Sequence, residues 1–157
     1  MSPTLTALSY WLHSLAMTVF IGHYLLLALI YLPAMRQTSL DVTGPILSAI
    51  SRKSRLWMYA SLVVFMITGI YLMFADPNYL GVGNFGNIWS MMMLVKHILI
   101  VVMIGAGFWF NAIWRVGPML SSRNGAELAY GRFKLYVNIM AVSSVLVLLL
   151  TSVSQIQ

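Results

Sequence analysis

Residues 88–114 read IWSMMMLVKHILIVVMIGAGFWFNAIW, and this apolar stretch decides the class of the protein. Lys96 and His97 are its only strongly ionisable side chains. About twenty consecutive apolar residues are enough for a helix to cross the hydrocarbon core of a membrane. The stretch therefore predicts a transmembrane helix, not a helix at the surface of a soluble domain.

Three more stretches of the same kind occur at about residues 5–32, 56–74 and 136–153. The whole chain of 157 residues is 61% hydrophobic and only 8% charged, far from the average soluble domain. Unpaired backbone groups are costly in lipid, so each stretch is expected to be helical. A β-barrel would instead show many short segments of alternating polarity. The sequence predicts an all-α integral membrane four-helix bundle that forms a single transmembrane domain over residues 1–157.

The basic residues indicate the orientation of this bundle. Eight of the nine Lys and Arg residues fall between the first and second stretches or between the third and fourth: Arg36, Arg52, Lys53, Arg55, Arg115, Arg123, Arg132 and Lys134. The middle connection, residues 75–87, contains none. The positive-inside rule then predicts an N-out/C-out protein, with both termini and the middle connection on the outer side. We expect it in the bacterial inner (cytoplasmic) membrane, where membrane lipid surrounds the bundle. Topology thus accounts for the formal charge of +6, and no nucleic acid partner is expected.

Four side chains inside the stretches could carry chemistry, namely His13, His23, Lys96 and His97. Ionisable groups are costly in hydrocarbon and are candidates for function by default. The chain has no cysteine, which excludes disulfides, iron–sulfur clusters, thiolate zinc sites and a covalent c-type haem. At about 1.5 Å per residue, counting from the outer ends places His13 and His97 both about 12 to 14 Å deep. Counting from the cytoplasmic ends places His97 midway between His13 and His23, so His23 stays open as an alternative ligand.

Two histidines at one level on two helices of a bundle can hold a haem b, with one imidazole on each side of the iron. His13 and His97 are therefore the candidate axial ligands. Lys96 is about 100° from His97 around the helix, so we expect it on a different face, extending toward the headgroups and a haem propionate. The residues that continue the two histidine faces would line the porphyrin: Met17, Phe20, Tyr24, Val101, Ile104 and Phe108.

Copper is the alternative cofactor, because the chain has twelve methionines and thioether and imidazole ligands suit Cu(I). Met91, Met92 and Met93 form a run, and Met66 is expected at a depth similar to that of His13. Consecutive methionines point in different directions on a helix, however, which weakens the copper interpretation. A third interpretation has the histidines only form hydrogen bonds between helices.

The chain resembles the copper resistance D (CopD) and HemJ group of membrane proteins. The residues that carry the resemblance are His13, Phe20, Gly22, Pro33, Arg36, Thr68, Gly69 and Lys96. The resemblance implies a four-helix core that binds haem b as in the HemJ branch or handles copper as in the CopD branch. His13 and Lys96 match family positions, whereas His23 replaces a small residue and His97 is an addition beside the matching lysine. A six-coordinate haem leaves no open iron position, which disfavours the HemJ-type oxidation of protoporphyrinogen.

Taken together, the sequence predicts a haem b-binding membrane subunit for electron transfer, one part of a larger redox complex and not a complete enzyme. Its partners would be other redox membrane subunits or a quinone. The alternatives are CopD-like copper transport, a HemJ-type protoporphyrinogen oxidase, and a structural subunit without cofactor.

Overall fold

The computed structural model describes residues 2–35, 38–110 and 126–154, which are helical or short connections and include no strand. Its elements are α1 (Pro3–Leu26), a π-helical turn (Leu27–Tyr31), α2 (Leu32–Met35), α3 (Leu40–Ala75), α4 (Ile88–Phe108) and α5 (Ala126–Ser154). Four segments are long and apolar enough to cross a membrane, namely Pro3–Met35, Val42–Ala75, Ile88–Phe108 and Glu127–Ser154. The predicted all-α class with four spans is confirmed.

Two helices extend well beyond the apolar stretches that predicted them. Helix α3 begins at Leu40 and not near residue 56, and α5 begins at Ala126 and not near residue 136. Hydropathy marks only the apolar part of a helix, whereas backbone hydrogen bonding does not depend on side-chain polarity and continues past it. Arg52 and Lys53 lie in that extension with exposed side chains that can reach water. The predicted end of the third stretch at Trp114 lies outside the described residues, as do Arg36, Arg115 and Arg123.

The connection between α3 and α4 is shaped by side chains that bond to the backbone. The Asp76 carboxylate accepts a hydrogen bond from the backbone N–H of Asn78 at 2.9 Å. Asn87 caps α4, since its side-chain oxygen accepts from the N–H of Ser90 at 2.7 Å. Gly81 has a φ of 103°, a conformation that glycine adopts without steric cost. These contacts hold the loop at one end of the bundle.

The first span is interrupted by the π-helical turn. The N–H of Leu32 bonds to the carbonyl of Leu27, five residues earlier. Both leucines are only 3% exposed. In a regular α-helix, positions five apart differ by about 140°, so the two could not face the core together. The wider turn brings both into the core.

The helices pack as two pairs joined at the centre. Helix α1 packs most extensively on α3, α4 packs on α5, and α1 also contacts α5. The buried cluster lies mostly on α1, α4 and α5 and includes Tyr24, Leu27, Met103, Phe110, Ala129, Phe133, Tyr136, Val137, Met140 and Val147. Many large apolar side chains on the outside remain exposed, as a surface that faces lipid requires. Spaces remain between the two pairs, and the candidate site lies there.

Candidate functional site

Along the described part of the bundle, three cavities follow one another. The largest, here the His13 cavity, has a volume of about 360 Å³ and lies beside the loop that joins α3 to α4. The His23 cavity, at the other end, has a volume of about 190 Å³. A space of about 20 Å³ lies between them and shares Met17 and Phe65 with the first and Phe20 and Ile104 with the second. All three are lined by residues of α1, α3, α4 and α5.

His13 is held in the His13 cavity by a hydrogen bond from α3. Its Nδ1 lies 2.9 Å from the hydroxyl oxygen of Thr68. That hydroxyl is 2.6 Å from the carbonyl oxygen of Val64, so its hydrogen goes to the carbonyl. The threonine oxygen then accepts from Nδ1–H of His13, and Nε2 carries the free lone pair.

Packing also fixes the His13 ring. The ring stacks on Phe65 with centroids 4.3 Å apart and planes 21° apart. On the adjacent turn, a Cβ added to Gly69 would lie 3.1 Å from Cε1 of His13. Glycine therefore leaves the space that the imidazole occupies. Thr68 and Gly69, near the C-terminal end of α3, thus both contact the His13 ring.

His97 also forms a hydrogen bond through Nδ1, in this case to the backbone of its own helix, α4. Its Nδ1 lies 2.6 Å from the carbonyl oxygen of Met93, one turn earlier in the helix. A carbonyl oxygen can only accept, so Nδ1 donates and Nε2 of the neutral ring is again the free nitrogen. His97 also lines the His13 cavity. Histidines that bind metals almost always donate their other ring nitrogen in this way, to a carbonyl, carboxylate or water.

Lys96 lines the same cavity as His97, and so does Asp76 from the loop. We expected these two residues on separate faces because neighbouring positions differ by about 100° around a helix. Both side chains nevertheless border this one cavity. His13 borders this cavity too, so the Lys96 ammonium shares one wall with an imidazole and a carboxylate. A carboxylate that the sequence places in a connection thus belongs to the wall of the cavity.

Methionine thioethers complete the lining. Met17, Met66, Met73 and Met93 all border the His13 cavity, whereas Met91 is 58% exposed on the outside of α4. Only one member of the methionine run therefore reaches the site, as expected for successive positions on a helix. Across the described parts of the chain, no group of three or more His, Asp or Glu residues is placed to hold a metal ion. A metal in this cavity would depend on the two imidazoles, with or without thioethers.

The remaining predicted residues divide between the cavities. Met17 borders the His13 cavity, and Phe20 and Ile104 line the middle space and the His23 cavity. Val101 is 65% exposed and Phe108 is 71% exposed, so neither forms the inner wall that we expected beside His97. The face of α4 toward the bundle runs instead through Ile100, Met103 and Ile104.

The His23 cavity holds a separate set of polar groups. His23 does not border the cavity of His13 and His97; its Nε2 lies 3.5 Å from the hydroxyl of Ser54, a long contact. The hydroxyls of Tyr24 and Tyr136 form a buried hydrogen bond of 2.8 Å. Sequence reasoning missed this tyrosine pair, because two tyrosines 112 positions apart give no local signal.

Comparison with protein families, with curated proteins and with solved structures finds no match for this chain. Any statement about its activity therefore depends on the geometry of the cavities.

Proposed function

We propose that this protein is a membrane subunit for electron transfer that binds haem b in the His13 cavity, with His13 and His97 as axial ligands. One observation carries the proposal. Two imidazoles from different helices border one cavity, and each engages Nδ1 in a hydrogen bond that leaves Nε2 free for iron. The cavity volume of about 360 Å³ falls within the usual range of ligand pockets, about 300 to 1,000 Å³.

The residues of the chain have distinct parts in this proposal. Thr68 and Phe65 orient the His13 ring, and the Met93 carbonyl orients His97. Lys96 supplies a positive charge for a propionate, and the methionines keep water away from the iron. Haem b supplies a one-electron centre when bound. We further propose that both termini and the Asp76–Asn87 loop are on the outer side of a bacterial inner membrane, which places this site in the outer half.

The test is a reduced-minus-oxidised absorbance spectrum of the purified protein. A sharp α-band typical of bis-histidine haem b is expected in the wild type, and it should be lost or altered in His13→Ala and in His97→Ala. His23→Ala is the matched control and should keep the band, since His23 borders a different cavity. Wild-type protein without haem after expression with a haem supply would refute the proposal, and so would an unchanged band in His97→Ala.

Copper handling is the second candidate, because four methionines and two histidines border one cavity. Under this alternative, purified protein binds Cu(I), and Met93→Leu or Met66→Leu weakens the binding. Met91→Leu serves as the control, since that side chain faces outward. Equal Cu(I) affinities in the three variants and the wild type would exclude the thioethers as ligands.

A further inference from the structure

We infer that the His23 cavity binds the headgroup of a membrane quinone. This site is separate from the one proposed for haem, since the cavity is bordered by His23, Tyr24, Ser54 and Tyr136 and not by His13 or His97. The choice of a quinone among lipid-soluble molecules rests on the proposed electron-transfer function. The binding site itself rests on three features of the cavity.

The first feature is its capacity to donate hydrogen bonds. The bond between the hydroxyls of Tyr24 and Tyr136 uses one of their two hydrogens, so the pair can still donate one to a ligand oxygen. His23 is half-buried and packs edge-on against the Tyr24 ring at 5.4 Å, and among the described residues its polar contact is the long one of 3.5 Å with Ser54, so its ring nitrogens can also serve a ligand. The two donors come from α1 and α5. A quinone carries two carbonyl oxygens that need such partners.

The second feature is the aromatic wall. Phe110 stacks on Tyr136 with centroids 4.1 Å apart and planes 10° apart, and Phe133 packs against Phe110 at 5.8 Å. Phe20 and Phe108 also border the cavity. Flat rings of this kind favour a flat conjugated ligand over an acyl chain, because aromatic pairs gain energy from stacked and edge-on contacts.

The third feature is an opening to lipid. Tyr59 of α3 and Phe108 of α4 border the cavity although they are 56% and 71% exposed. Within the described helices, α3 and α4 are not among the pairs that pack extensively. The cavity therefore opens sideways between these two helices toward the membrane. An isoprenoid tail can remain in the lipid while the headgroup enters.

The experiment is a titration of ubiquinone with one isoprenoid unit into the protein in quinone-free phospholipid nanodiscs, followed by calorimetry. Saturable binding is expected in the wild type. Loss of one hydrogen bond should weaken it about three- to tenfold in Tyr136→Phe and in His23→Leu. Tyr130→Phe is the matched control, because it removes a hydroxyl from the same helix at a position that does not border the cavity.

The absorbance spectrum of the same samples separates this inference from the proposed function. Haem absorbance should persist in His23→Leu and Tyr136→Phe, which also shows that these variants fold, while His13→Ala should still bind the quinone. Wild-type protein with haem but without saturable quinone binding would overturn this inference alone. Quinone binding without haem would refute the proposed function alone. Loss of haem in His23→Leu, or equal quinone affinities in Tyr136→Phe, His23→Leu and Tyr130→Phe, would also overturn the inference.

Discussion

The hydrogen bond between His13 and Thr68 allows a sharp test of the site through the substitution Thr68→Val. Valine has the shape of threonine but cannot accept the hydrogen on Nδ1 of His13, which is 2.9 Å from the threonine oxygen. A buried donor left without a partner costs about 1 to 3 kcal/mol. His13 is half-buried, so we expect the lower end, a loss of about 1 kcal/mol in the free energy of unfolding. Haem affinity should fall about 10- to 100-fold, as for other residues that orient a metal ligand.

The assay is chemical unfolding in detergent micelles together with haem titration, and Thr18→Val is the matched control. Thr68 and Thr18 each donate their hydroxyl hydrogen to a carbonyl four residues earlier, but Thr18 is exposed and bonds only within its own helix. Subtracting the control therefore isolates the bond to His13. Thr68→Ser keeps the hydroxyl and should retain most of the haem affinity. If Thr68→Val lowers the free energy of unfolding and the haem affinity no more than Thr18→Val does, Thr68 does not orient His13 and the reasoning is wrong.

Three other outcomes follow from the structure. Gly69→Ala should weaken haem binding, because its Cβ would lie 3.1 Å from the His13 ring and ordinary contact begins near 3.4 Å; unchanged haem titration would show that the ring moves at no cost. Asn87→Ala removes the cap of α4 and should lower the free energy of unfolding by about 1 kcal/mol, and denaturation that matches the wild type would contradict this role. Since the chain has no cysteine, Val82→Cys in the loop should react with a membrane-impermeant maleimide in intact cells and Lys53→Cys should not; the reverse pattern would invert the proposed orientation.

The class of the fold could be predicted from the sequence because backbone N–H and C=O groups within hydrocarbon must be hydrogen-bonded, so each long apolar stretch is expected to be a helix. The helix ends could not, since α3 and α5 continue past the apolar stretches into more polar sequence, where hydropathy no longer distinguishes helix from loop. His13 and His97 border one cavity, which is compatible with the depth count from the outer ends of the two helices, and His23 does not border it. Their roles as ligands stay predictions.

The details of the site depend on helix rotation, which the sequence determines poorly. Helix α4 is apolar on all sides, so its hydropathy pattern could not show that Val101 is exposed or that Phe108 is at the mouth of the His23 cavity and not beside His97. Thr68 and Gly69 are adjacent in the sequence, but their contact with His13 depends on the rotation of α3 that turns them toward α1. Pairing across long sequence separations, as between Tyr24 and Tyr136, leaves no local pattern at all.

The π-helical turn at Leu27–Tyr31 is equivalent to one residue inserted into an otherwise regular helix. Both histidines of the first span precede it, so their separation along the chain is unaffected by what happens in the turn. Removing one residue there would restore α-helical winding and leave the residues that follow close to their present angular register, because the wide turn absorbs the extra residue. The first connection therefore leaves the bundle in the direction that an uninterrupted α-helix one residue shorter would give it. The extra residue is accommodated within the turn, beside the His23 cavity that Leu27 borders, without moving the histidines that precede it.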